Sequence, residues 1–163
     1  LHQLWAITYG STLETRVRYT PSDVFETFPL AQPSDRLDAV GRALEEERRE
    51  IMLRRDLGLT KLYNLVNDPM VHGDKHIDRL REIHVDLDEA TTSAYGWGDF
   101  SLGHGFHAFR QAQRWTISSA ARVEALDRLL LENHRRGAET QDSSSRAPRR
   151  PGKTRSGEAP LFG

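Results

Sequence analysis

The feature that most constrains this chain is the run that begins at Asp74. Ile77, Leu80, Ile83, Leu87, Ala90 and Ala94 recur at steps of three and four residues, and Gly96 ends the pattern. Apolar side chains at that spacing share one face of a helix and demand a partner surface. Asp74 supplies the short acceptor side chain that caps such a helix. The same period appears from Ser34, where Ser34 or Asp35 caps a helix carrying Leu37, Val40, Leu44 and Ile51, stopped by Gly58. A shorter helix is expected from Thr60 to about Val66, ending in Asn67-Asp68-Pro69. Ser118 or Ser119 caps a last one with Val123, Leu126, Leu129 and Leu130, stopped by Gly137. Between the Asp74 helix and this last one lies a glycine-rich loop, Tyr95 to Phe109, carrying Trp97, Phe100 and Phe106.

Ahead of Ser34 the pattern differs. Leu4, Trp5 and Ile7 read as the last turns of a helix ended near Gly10. In Arg16-Val17-Arg18-Tyr19-Thr20, Val17 and Tyr19 alternate with polar neighbours, as in a strand stopped by Pro21. Val24 to Leu30, rich in aromatic and β-branched residues, reads as extended chain or short strands leaving a preceding domain. The opening Leu1-His2-Gln3-Leu4-Trp5 lacks an initiator Met and looks like the interior of an amphipathic element, so the chain is expected to begin within a domain. After Gly137 the composition shifts to Ser, Pro, Gly, Arg and Lys, and 143–157 holds five basic residues and no acidic one. A disordered basic tail is expected there.

The fold class that follows is mainly α. It is an antiparallel helical domain of about four helices over residues 34–137, with a short strand-like lead-in at 1–33 and a tail at 138–163. Short connections favour antiparallel packing.

Charge excludes little. With 23 basic and 24 acidic residues, a nucleic-acid argument must be local. The chain has no Cys, which removes disulfides and thiolate metal sites. No apolar run approaches membrane-spanning length, and no signal peptide opens the chain, so a cytoplasmic location without a membrane partner is expected.

The candidate chemistry is thin. His72 and His76 stand four apart, and His104 and His107 three apart, spacings that suit a shared metal. Gly73 splits the first pair across a helix start, and the second lies in the glycine-rich loop, so surface or loop packing is the preferred reading. Asp86, Asp88 and Glu89, like Glu45, Glu46, Glu47 and Glu50, fall mainly opposite the apolar stripes. Arg48, Arg49 and Arg81 are placed to pair with them on solvated faces. Gly103-His104-Gly105 is too short for a phosphate-cradling loop, and no nucleotide or methyl-donor fingerprint appears. No catalytic centre is expected. Basic residues beside aromatics remain. Arg16 and Arg18 share one face of a strand, where two guanidinium groups suit phosphates or the guanine edge. Ion pairing with Glu14, Asp23 or Glu26 is an equal alternative. Lys61 lies with Tyr63 and Asn64 in a second polar–aromatic group, for which helix packing is the other reading.

Ordered strings then extend the reading. They begin with Arg18-Tyr19-Thr20-Pro21-Ser22-Asp23-Val24-Phe25-Glu26-Thr27-Phe28-Pro29, then Gly58-Leu59-Thr60-Lys61-Leu62-Tyr63-Asn64 with Asn67-Asp68-Pro69. Ala94-Tyr95-Gly96-Trp97, Gly103-His104-Gly105-Phe106-His107, Arg114-Trp115-Thr116-Ile117-Ser118 and Leu126 to Asn133 follow in order. Over about residues 1–136 they resemble the end of the target-recognition region and the helical C-terminal domain of large single-chain type II restriction–modification enzymes and related adenine-specific DNA methyltransferases. Val24 stands where many members carry Cys, a small apolar exchange.

The resemblance implies a parent enzyme that uses S-adenosylmethionine to methylate a flipped adenine. Its donor-binding and Asn-Pro-Pro-Tyr/Phe motifs are absent from this chain, so the cofactor would belong to the parent and none to this portion. The implied partners are double-stranded DNA and the upstream methyltransferase and recognition domains of the same parent. Arg16, Arg18 and Lys61 are the expected DNA contacts, with residues 1–33 closing the recognition domain. Two rivals stand beside this: a structural module that braces the recognition domain without touching DNA, and a free-standing enzyme built on the His104 loop.

Overall fold

The computed structural model describes residues 1–13, 16–99 and 101–146, and of 12–13, 16–18 and 141–146 the backbone alone. The protein is mainly helical. Helix α1 (His2–Tyr9) leads into a hairpin of β1 (Ser11–Leu13) and β2 (Arg16–Arg18), then a single π-type turn at Pro21–Phe25. Three helices follow: α2 (Asp35–Arg55), α3 (Leu59–Val66) and α4 (Lys75–Ala94). A second hairpin, β3 (Gly105–Phe109) and β4 (Ala112–Thr116), precedes α5 (Ser119–Arg146).

Helices α2 and α4 are antiparallel, and their ion pairs show it. Arg36 at the start of α2 meets Glu89 near the end of α4, while Arg55 at the end of α2 meets Asp74 at the cap of α4. The predicted stripe faces this seam. Leu44 and Ile51 pack with Ile77, Leu80 and Ile83, joined by Leu62 and Val66 of α3. The caps also follow expectation: the Ser34 hydroxyl accepts from Leu37 N–H, and the Asp74 carboxylate accepts from His76 and Ile77 N–H.

Several expectations need correction. Gly58 does not end α2; Asp56 does, in the left-handed region at φ 49°, which a short polar side chain tolerates. Gly58 instead caps the start of α3. The glycine-rich loop contains β3, paired with β4 so that Phe106 faces Trp115 and His107 faces Arg114. Helix α5 does not stop at Gly137 but continues to Arg146, because a lone glycine costs a helix only about 1 kcal/mol. Of the expected tail, residues 147–163 lie outside the described residues. Val123 is exposed, and the buried stripe of α5 is Ala121, Ala125 and Leu129, one four-residue step apart.

The segment from Val24 to Leu30 is not extended throughout. Pro21 opens the π-type turn, whose signature bond runs from Glu26 N–H to the Pro21 carbonyl. Val24 and Phe28, four apart, are buried together with Trp5 and Leu129. The chain then runs on as a strap whose carbonyls are met by other elements. Asn133 Nδ2 donates to Thr27 O, the Tyr95 hydroxyl to Pro29 O at 2.7 Å, and Arg136 Nη1 to Leu30 O at 2.8 Å. Burial pushes the Tyr95 phenol up to about 12, so it remains a donor at any physiological pH. The lead-in therefore shares a core with α5.

Arg81 is the largest departure. It sits on the inner face of α4, 6% exposed, rather than on a solvated face. Its Nε donates to Val66 O at 3.0 Å, Nη1 to Val71 O at 2.7 Å and Asp78 Oδ1 at 3.1 Å, and Nη2 to Leu65 O at 3.3 Å and Asp68 O at 3.0 Å. The last carbonyls of a helix have no donors within it. One planar fork supplies them for α3 and for the connection to α4. Phe106 and Trp115 lie against the guanidinium, its carbon 5.0 and 5.6 Å from their ring centroids. Replacing Arg81 by Met should cost about 3–5 kcal/mol, because several buried carbonyls lose their donors at once. A thermal melt followed by circular dichroism checks this, and a loss under about 1 kcal/mol would mean water replaces the guanidinium.

The Asp74–Arg55 pair gives a pH signature. Both guanidinium nitrogens reach the carboxylate at 2.7 Å. That contact, with the Ile77 and His76 N–H groups, lowers the Asp74 carboxyl from 3.8 to about 2. Its stabilisation is complete above pH 3.8 and is lost as pH falls through about 2. The pair is partly exposed, so Asp74→Ala should cost about 1–2 kcal/mol at pH 7 by urea denaturation. The gap to the parent should close between about pH 4 and 2; a gap constant with pH would exclude the carboxylate charge as its source.

Candidate functional site

A cleft of about 1220 Å³ opens between the β3–β4 hairpin, the end of α3, the middle of α4 and the start of α1. Its position follows from the hairpin register. Side chains directly opposite each other share a face. Phe106 and Trp115 therefore share the face that covers Arg81, and His107, Phe109, Ala112, Arg114 and Thr116 share the other. Phe109, Ala112, Arg114 and Thr116 all line the cleft, with Arg110 and Gln111 of the turn. Arg122 of α5 fastens the hairpin from behind. It donates to Ile117 O at 3.0 Å and Ala108 O at 2.9 Å, and its guanidinium carbon lies 5.2 Å from the Phe109 centroid. Asn67, just past α3, ties the other side: its Oδ1 accepts from Trp115 N–H at 3.0 Å while its Nδ2 donates to Tyr63 O.

The turn itself is unusual. Phe109 pairs with Ala112, leaving Arg110 and Gln111 as a two-residue loop, with Arg110 at φ 55°. With only the first loop residue at positive φ, such a turn favours Gly there, and a side chain as large as Arg costs about 1–2 kcal/mol. The hairpin thereby holds an arginine at the cleft mouth where a glycine would be cheaper.

Inside, titratable groups form two pairs. Tyr63 Oη lies 2.8 Å from His84 Nε2, and His104 donates from Nε2 to Asp88 Oδ2 at 2.9 Å. Burial pushes the His84 imidazole below its ordinary value of 6.5; Asp88 opposes that, and Arg48 and His104 reinforce it. Asp88, expected on a solvated face, is thus a cleft residue. Trp115 contributes an indole N–H that is buried and has no acceptor among the described residues.

Most of the described arginines are paired with a carboxylate, although Arg42 and Arg48, like those at the cleft mouth, make no ion pair among the described residues. Arg36, Arg49, Arg54, Arg55, Arg79, Arg128, Arg135 and Arg136 are each held by a carboxylate. Glu132, gripped by Arg135 and Arg136, is lowered to about 2. Between Asp99 and Glu124 the chain carries Arg110, Arg114 and Arg122 but no carboxylate. Arg110 and Arg114 are exposed and make no ion pair among the described residues.

The expected site residues fare unevenly. Arg16 and Arg18 lie on β2, opposite Leu13 and Ser11, but their side chains lie outside the described residues. Lys61 is exposed on α3 and does not line the cleft. His72 is exposed in a loop, while His76 lies 3.4 Å from Glu47 and 3.0 Å from Arg54. His104 and His107 do not converge, since His107 donates to Gly103 O at 2.8 Å. Among the described residues no three His or carboxylate groups are placed to hold a metal. No helix among them is long and apolar enough to cross a membrane. Arg110, Arg114 and the His84 cluster were missed, although the acid-free stretch around the first two was a readable signal.

Set against protein-family models, curated proteins and solved structures, the chain matches none.

The state of His84 is open to measurement. Its imidazole should titrate below 6.5 by NMR, and Asp88→Asn should lower it further by removing the charge that favours protonation. A depressed folded value means that this contribution to stability is complete above about pH 6.5 and lost as pH falls through the folded value. A titration at or above 6.5 would contradict the burial.

Proposed function

We propose that this chain is the non-catalytic, DNA-positioning C-terminal portion of an S-adenosylmethionine-dependent adenine-specific DNA methyltransferase, with the β3–β4 hairpin as an element that faces DNA. The observation that carries this reading is the pair of unmatched guanidinium groups, Arg110 and Arg114, on a surface whose other arginines are mostly neutralised in place. Unpaired arginines projecting from a two-stranded ribbon suit the phosphates of a duplex. The family-like strings support it from a second direction. Gly58–Asn64, Asn67, the Gly103–His107 segment and Arg114–Ser118 are distant in sequence, yet Tyr63, Asn67, His104, Arg114 and Trp115 from them line one cleft. The methyl donor and the reacting adenine would belong to the upstream domains of the parent.

In this reading the hairpin supplies backbone contacts that hold the duplex in register, and base readout lies mainly upstream. Arg16, Arg18 and Lys61 remain proposed further contacts, joined now by Arg110 and Arg114.

The alternative, a brace that never meets DNA, is favoured by one specific observation. Asn133, Tyr95 and Arg136 fix the Thr27–Leu30 strap through its carbonyls, as a buttress for whatever precedes it would require.

Fluorescence anisotropy with a labelled duplex at 50–200 mM salt separates the two. Binding should weaken steeply with salt. The Arg110→Ala, Arg114→Ala double variant should flatten the slope of log K against log salt by about 0.9 for each phosphate that is no longer neutralised. The Arg16→Ala, Arg18→Ala pair, tested in the full-length parent, should act in the same direction. An unchanged slope in the first variant removes the hairpin from the interface, and no binding at 50 mM salt favours the brace.

A further inference from the structure

The duplex reading uses the mouth of the cleft and leaves its interior unexplained. A phosphate clamp needs cations on a surface; it does not need a space of about 1220 Å³ behind them, walled by Tyr63, His84 and Trp115. We propose that this cleft binds a single nucleotide, with its phosphate held by Arg110 and Arg114 and its base lodged against the Tyr63–His84–Trp115 wall. The inference does not depend on the duplex reading.

Three features select that ligand class. The volume comfortably exceeds the few hundred Å³ that a small organic ligand occupies. The mouth offers two unmatched guanidinium groups suited to a phosphate, which Arg grips through two parallel N–H bonds. The wall around Tyr63, His84 and Trp115 is aromatic, with the Asp88–His104 pair beside it. Tyr63 and Trp115 line it beside His84, whose imidazole burial pushes below its ordinary value of 6.5. A heteroaromatic base, with ring nitrogens and carbonyls as acceptors, matches such a wall by stacking and by hydrogen bonds.

The one acid on the wall, Asp88, is engaged by His104, so it does not leave a bare carboxylate facing the phosphate. The turn strain at Arg110 fits as well, because positioning a cation at the mouth outweighs the cheaper glycine.

The same chemistry has two sources: a free nucleoside 5′-monophosphate, or an unpaired nucleotide within a DNA strand. Both are testable on the whole chain. Tryptophan emission is followed while dAMP is titrated at low salt, with deoxyadenosine and inorganic phosphate as the two half-ligands. A saturable change with dAMP at or below about 1 mM, at least about tenfold tighter than either half-ligand, is the expected result. Trp115→Phe identifies the reporting indole, since Trp5 and Trp97 remain. Arg110→Ala with Arg114→Ala, both exposed and safe for folding, should weaken dAMP at least about tenfold while the thermal melt is unchanged. Tyr63→Phe should weaken dAMP and leave inorganic phosphate unaffected. Ligand-observed NMR of dAMP repeats the titration without relying on fluorescence.

A duplex with one unpaired adenine, compared with its fully paired form, separates the sources. Preference for the unpaired form, competed by dAMP, assigns the strand; dAMP binding that neither duplex displaces assigns the free nucleotide; both place a nucleotide in the cleft. Phosphate binding as tightly as dAMP, or no saturation by either method up to about 1 mM, overturns the proposal. Loss of paired-duplex binding with dAMP binding intact would sink the duplex reading alone.

Discussion

The buried guanidinium of Arg81 is the interaction on which the rest depends. Helix α3 is only eight residues long, too short to persist in water without tertiary support. Arg81 reaches from α4 to its last carbonyls and to those of the following connection, fixing where α3 ends and how the chain returns into α4. Because Leu62 and Val66 are fully packed against Ile77 and Leu80, that position also sets the core. The fork is charged, and among the described residues only Asp78 offers it a direct countercharge. Carbonyl dipoles and the two aromatic rings share the rest of the task. Such an arrangement is costly to bury and more costly to break. It ties helix, loop and hairpin into one unit.

The cleft inherits its shape from this arrangement. Trp115 and Phe106 cover the guanidinium with one face of the hairpin, and the opposite face carries Phe109, Ala112, Arg114 and Thr116 into the cleft, which Trp115 also borders. Asn67, immediately after the carbonyls that Arg81 holds, bonds to the Trp115 backbone and brings β4 to the end of α3. Arg114, next to Trp115 in a strand, must then point the other way. The exposed cation at the cleft mouth is thus a geometric consequence of the buried cation behind it.

The helices were legible because their information is local. Asp74 and Ser34 cap α4 and α2 with the side-chain bonds their positions imply, and the stripe from Ile77 to Ala90 meets a stripe of the same period. The hairpin was hidden by its turn: Arg110-Gln111 lacks the Asn or Gly that announces a two-residue loop, and glycines before it suggested irregular chain. The π-type turn was misread because aromatic and β-branched composition outweighed the four-residue step from Val24 to Phe28. Gly137 misled for the opposite reason, since an exposed glycine weakens a helix without ending it.

The site was less legible than the fold, and the reason lies in charge. Arg81 looks in sequence like Arg79, two positions before it; Arg79 pairs with Glu82 in solvent while Arg81 is buried. Helical phase distinguishes them, because Arg81 follows Leu80 on the stripe side, but burying a guanidinium requires acceptors that only the folded α3 end provides. Asp88 presents the same problem. Its partner His104 comes from a loop sixteen residues away, so no local pattern marks it. What the sequence did carry was an absence: the stretch from Asp99 to Glu124 has arginines without acids, and a cation with no neighbour to neutralise it is where a polyanion gains most. The local balance of charge, read against the near-neutral whole, therefore points to the same hairpin that packing places at the cleft mouth.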